Sequence, residues 1–131
     1  MIVEWSDKLE TGIPEIDEQH KELIVTLNRL GRLKYGKEDF LEVLEELIEY
    51  TNIHFKTEEN YMIKDNYPGY DKHKSYHNLL INKLSDYIKE FYETEDIEDL
   101  GTRLYDFVGN WMVNHYSGED INLASFIKKH Y

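Results

Sequence analysis

Five of the six histidines in this 131-residue chain fall where a helix would turn them toward its own apolar stripe. His20 lies four residues after Ile16 and four before Ile24. His54 and Glu58 share one face with Leu47, Thr51 and Tyr61, and His73 and His77 share another with Tyr70, Leu80 and Leu84. His115 extends the stripe formed by Leu104, Phe107 and Trp111. Asp120 follows five residues later, past Gly118, where a change of direction can swing its carboxylate back inward. One histidine on an apolar face is usually a core residue satisfied by a single hydrogen bond. Pairs spaced by four also arise freely on helices. Five buried imidazoles and a buried glutamate are a different matter, because each costs free energy to desolvate unless it has a partner. A metal cluster would serve all of them at once.

Seven donors exceed what one ion of ordinary coordination takes and suit two ions bridged by carboxylates, a known use of helical-bundle cores. Imidazole with carboxylate is compatible with iron, zinc, copper or manganese. Five neutral rings against two carboxylates make a less anionic set than the glutamate-rich sites that activate oxygen. That balance favours mild, reversible redox change over oxidation of a substrate. No nucleophile motif or glycine-rich phosphate loop accompanies the set, and Ser75, Ser85, Ser117 and Ser125 read as surface or loop residues. His130, after Lys128 and Lys129, reads as an exposed tail residue.

These donors need helices to position them, and the sequence supplies four with apolar residues at three- and four-residue spacing. The first is expected from about Asp17 to Lys34, with Ile16, Leu23, Ile24, Leu27 and Leu30 inward. The second runs from Lys37 to Lys64 and ends at the Asn66-Tyr67-Pro68-Gly69 turn. The third spans Tyr70 to Phe91, and the fourth Ile97 to Tyr116, with N-caps available in Thr94-Glu95-Asp96. A short last helix is expected from Glu119 to Lys129. The fold class is therefore all-α: an antiparallel up-down four-helix bundle, with an N-terminal arm across it and a short C-terminal helix. The length suits a single domain over residues 1–131.

Aspartate and glutamate outnumber lysine and arginine by 27 to 15, for a formal charge of −12. Such a field repels nucleic-acid backbones and anionic lipid, so neither is an expected partner. There is no cysteine, which excludes disulfides and thiolate chemistry. With no signal-peptide pattern at the start and no apolar run of about 20 residues, a cytoplasmic protein is expected.

The four segments EWSDKLETGIPEIDEQH, HFKTEENYM, HKSYH and WMVNHYSGED, in this order, resemble those of the hemerythrin family, in particular its single-domain bacterial members. The resemblance covers essentially the whole chain. It implies two non-haem iron ions bridged by Glu58, Asp120 and an oxide or hydroxide. His73, His77 and His115 would complete one ion, and His20 and His54 the other, which keeps a vacant position for dioxygen. Leu23, Ile24, Phe55, Trp111 and Met112 would wall that pocket with apolar surface and exclude the water that drives irreversible oxidation. As packing residues they would look the same in sequence. Tyr116 brings a phenol near the site, on a register that lets it pack or face solvent. The expected function is reversible dioxygen binding for storage, transport or sensing, not catalysis. The alternatives are a di-iron enzyme that reduces oxygen, peroxide or nitric oxide, and a metal-buffering or di-zinc protein.

Overall fold

The computed structural model describes residues 3–32 and 36–129. His130 and the expected end of the first helix at Lys34 lie outside the described residues. A single 3-10 turn, Asp7–Leu9, precedes helices α1 (Pro14–Arg32), α2 (Lys37–Lys64), α3 (Tyr70–Glu93), α4 (Ile97–Ser117) and α5 (Glu119–Lys128). No strand occurs among the described residues. α1 packs on α2 and α4, α2 on α3, and α3 on α4, which closes the four long helices into the expected antiparallel ring. α5 lies against α4.

The helix limits follow local chemistry. α1 begins three residues before the apolar stripe suggested, because Pro14 occupies the first helical position, where a missing N–H costs nothing. The Asp17 carboxylate turns back to accept from the Thr11 amide at 2.8 Å, the Thr11 hydroxyl at 2.7 Å and the Gly12 amide at 3.0 Å. Gly12 itself has φ +81°, a conformation that suits glycine. α2 ends in a turn where Asn66 adopts φ 53°, also a tolerated residue there. Asp96 caps α4 by accepting from the Asp99 amide at 3.0 Å. The expected arm is present. Val3 donates to the Tyr105 hydroxyl at 2.7 Å, and its carbonyl accepts from the Asn28 side chain at 2.8 Å.

Apolar burial divides into two layers among the described residues. The larger holds Leu23, Leu27, Leu44, Leu47, Leu80, Leu84, Leu100, Leu104 and Met112, with Val3 and Leu9 of the arm. The smaller, at the other end, holds Ile13, Ile16, Met62, Leu123, Ala124 and Ile127. On α1, His20 falls between Ile16 of one layer and Leu23 of the other; on α2, His54 and Glu58 fall between Leu47 and Met62. The polar residues thus form a band enclosed by apolar packing on both sides. No described helix is long and apolar enough to cross a membrane.

Candidate metal centre

All seven predicted donors converge, and none is more than 5% exposed. α1 supplies His20, α2 supplies His54 and Glu58, α3 supplies His73 and His77, and α4 supplies His115. Asp120 sits in the first turn of α5, where a helix N-terminus favours a negative charge.

Two donor groups form, one of Glu58, His73, His77, His115 and Asp120, the other of His20, His54, Glu58 and Asp120. Both carboxylates belong to both groups, and each divides its two oxygens between them. Glu58 turns Oε1 to the Nε2 atoms of His73 (3.2 Å) and His77 (2.9 Å), and Oε2 to those of His54 (3.4 Å) and His20 (3.7 Å). Asp120 turns Oδ1 to His73 (3.0 Å) and His115 (3.1 Å), and Oδ2 to His20 (2.9 Å). The Nε2 atoms of His73 and His115 point at one another at 3.2 Å. Proximity here is not satisfaction. Nε2 of His20, His54 and His77, Oε2 of Glu58 and both oxygens of Asp120 are buried without a hydrogen bond. A set of convergent donors left unpaired in an apolar enclosure fits a resident pair of cations, which would be bound by all of them.

The outward-facing ring nitrogens show how two of the imidazoles are held. Thr57 donates its hydroxyl to the Ile53 carbonyl at 3.1 Å, so it accepts from the Gln19 amide nitrogen at 3.1 Å. That fixes the Gln19 oxygen toward His54 Nδ1 at 2.7 Å, which must therefore carry the proton and leave the Nε2 lone pair facing inward. Glu59 does the same for His77, accepting at 3.1 Å from Nδ1, while Lys74 holds its other oxygen at 2.7 Å. Gln19 and Glu59 were not evident from sequence, and neither was the placement of Tyr116. The ring of Tyr116 packs flat on His20, with centroids 3.6 Å apart and planes 9° from parallel.

The hydrophobic residues expected around the two-histidine side are all in or against the main core. Leu23, Ile24, Phe55 and Met112 are buried and Trp111 is partly so. Their rings divide unexpectedly. Phe55 lies flat on His77 at 3.7 Å, against 6.0 Å and a tilted approach to His54. Trp111 lies on His115 at 4.3 Å. The aromatic ring in closest contact with His20 is that of Tyr116.

Residues 11–127 match the profile of the hemerythrin HHE cation binding domain. The chain belongs to the hemerythrin family. It is 36% identical over 126 residues to the bacteriohemerythrin of Pseudomonas aeruginosa (strain LESB58), covering 95% of this chain and 80% of that protein. With the bacteriohemerythrin of Stenotrophomonas maltophilia (strain R551-3) it shares 34% identity over 131 residues, 98% of this chain and 84% of the other. A crystal structure of wild-type hemerythrin superimposes with a TM-score of 0.85 at 28% identity, covering 97% of this chain and 98% of that one.

The carboxylates and imidazoles at this hemerythrin site shift one another's pKa values against the effect of burial. Burial alone would lower the pKa of His20, but the adjoining Asp120 and Glu58 carboxylates outweigh it and raise it to about 9. His73, between the same two carboxylates, is likewise raised against burial, to about 10. Burial opposes ionisation of Glu58 too, yet the surrounding imidazoles, His54 foremost, hold its pKa well below the usual value. Asp120 is lowered against burial and Glu58 by His115 and His20.

The corner that delivers Asp120 depends on Gly118, which separates α4 from α5 and donates to the Asn114 carbonyl at 3.1 Å. A Cβ there would lie 3.0 Å from that same carbonyl oxygen, an immobile backbone atom. Gly118→Ala is expected to cost about 1 kcal/mol of stability and to weaken metal retention through displacement of Asp120. Denaturant melts and metal analysis of the variant would check this, and unchanged retention would show that the corner tolerates the shift.

Proposed function

We propose that this hemerythrin binds dioxygen reversibly at a non-haem di-iron centre. The division of the Glu58 and Asp120 oxygens between the two histidine groups carries the reading, since each carboxylate is set to bridge two ions. His73, His77 and His115 would hold one iron and His20 and His54 the other, with a solvent-derived oxide or hydroxide completing the bridge. Iron bound there would supply the electrons that dioxygen takes up on binding and gives back on release. The inequality of three rings against two leaves the His20–His54 side as the place for the gas to bind.

What the protein adds is positioning and exclusion. Gln19 and Glu59 keep the Nε2 lone pairs of His54 and His77 inward. Leu23, Ile24, Phe55, Trp111 and Met112 belong to the apolar enclosure, which keeps water and free protons from the centre. Residues 1–131 act as a single hemerythrin domain in this reading, in the cytoplasm, for storage, transport or sensing. A second reading, a di-iron enzyme reducing oxygen, peroxide or nitric oxide, is favoured by one observation. The ring packed on His20 is a phenol, an oxidisable group, where an aliphatic side chain would be inert.

One experiment separates the two. Iron-loaded, anaerobically reduced protein is expected to develop a visible charge-transfer band in air and to lose it under argon, over repeated cycles. Prompt, irreversible conversion to a ferric spectrum, with turnover when a reductant is supplied, would overturn reversible binding in favour of the enzyme.

A further inference from the structure

His20 differs from the other ligands of the two-histidine side in what holds it. His54 is anchored by Gln19 through Nδ1 at 2.7 Å, whereas His20 Nδ1 is buried and has no hydrogen-bond partner. An imidazole without such an anchor has a broad preference about its Cβ–Cγ bond. Rotating the ring out of its present plane would carry Nε2 away from Asp120, which it meets at 2.9 Å. The remaining contact able to fix the ring plane is the flat one with Tyr116, 3.6 Å between centroids and 9° from parallel. Tyr116 also meets His54 edge-on at 6.2 Å and 76°, so its own ring is set at right angles to the neighbouring ligand. It is 1% exposed and packed within the main core, which immobilises it.

We propose that Tyr116 is a positioning residue for the metal ion of the two-histidine side, orienting His20 by ring stacking in place of a hydrogen bond. The same device recurs across the centre. Phe55 lies on His77 at 1° and Trp111 on His115 at 16°, so three of the five imidazoles are backed by a near-parallel ring. On the three-histidine side it is redundant for His77, which Glu59 also holds. On the two-histidine side no hydrogen bond to Nδ1 backs it up among the described residues, so the stack is what holds the outer edge of the His20 ring. The working part of Tyr116 is then its ring and not its hydroxyl, although the ring also closes the pocket. This inference rests on the di-metal reading above.

Anaerobic cobalt(II) titration, followed by visible absorption and by bound metal per chain, tests both and keeps them apart. Wild-type protein is expected to take two equivalents. Tyr116→Phe should match it, while Tyr116→Leu should bind the first equivalent normally and the second about twofold to tenfold more weakly, the range stacking of aromatic rings supplies. General loosening of the fold would weaken both equivalents together. If wild type took fewer than two, the di-metal reading would fail. If it took two and Tyr116→Leu matched it, or if Tyr116→Phe lost as much as Tyr116→Leu, the positioning role would be overturned. Should Tyr116→Leu not fold, NMR of zinc-loaded protein decides. The His20 ring protons are expected well upfield in wild type and Tyr116→Phe alike, and ordinary shifts would refute the stack.

Discussion

Replacing Glu58 with Gln is expected to reduce bound metal from two ions per chain to one or none, with helix content unchanged. Glu58 stands in both donor groups and gives each a separate oxygen. The amide has the same shape but no charge, and its nitrogen would present two N–H donors where a lone pair is required. At most one half of the centre could then be completed through this side chain. The bundle should survive, because the layers above and below the polar band carry the packing and a Gln fills the same space. The control is the next residue along. Glu59 touches His77 Nδ1 and Lys74, not the interior of the cluster, so Glu59→Gln should retain two ions with affinity lowered about 10- to 100-fold. Elemental analysis after dialysis, together with far-UV circular dichroism, reads both. Two ions and an unaltered spectrum in Glu58→Gln would show the bridging assignment to be wrong.

The contrast between these neighbouring glutamates also marks how far the sequence is legible. Periodicity identifies which residues face a helix's own core, and six of the seven candidate donors were found because they interrupt apolar stripes at helical spacing, whereas Asp120 was placed only by its position past the Gly118 break. Turn-forming residues located the turn at Asn66–Gly69 and the break at Gly118. Periodicity is silent about Gln19 and Glu59, which sit beside ligands in sequence but point about 100° around the helix from them. Whether such a residue reaches a ring on the adjacent helix depends on how the two helices pack, and the sequence of one helix does not encode that. Aromatic partners fail for a related reason. Phe55 follows His54 directly, yet its ring lies on His77 of α3 rather than on its own neighbour. Tyr116 follows His115 and lies on His20 of α1. Being next to a ligand in sequence turns a side chain toward a different helix, so the stacking pairs are visible only in the assembled bundle. The start of α1 was missed because Pro14 and Asp17 set it through local capping and not through the stripe.

Metal-free protein is expected to lose stability as pH rises from about 6.5 to 10, and metal-loaded protein is not. His20 and His73 have folded-state pKa values of about 9 and about 10, against an ordinary 6.5. Groups raised in this way stabilise the fold fully below the unfolded value, and that contribution disappears as pH climbs through the folded one. Glu58 and Asp120 are shifted the other way, so their contribution is present above the ordinary carboxylate range and is lost on acidification. The metal-free fold should therefore be most stable between roughly pH 4.5 and 6.5. The alkaline loss is on the order of 3 kcal/mol from His20 alone, or roughly 10 °C in Tm for a chain of this size. Metal reverses the dependence on that limb. Cations replace the protons held on His20 and His73, so uptake should release protons and apparent affinity should strengthen as pH rises over the same interval. Thermal melts of both forms between pH 5 and 10, with proton release followed by a pH indicator during loading, measure the two halves of the exchange. A metal-free Tm that stayed level or rose above pH 6.5 would mean that the two carboxylates are not neutralised by these imidazoles. Proton release without the Tm loss would instead place the displaced protons on groups that do not contribute to folding.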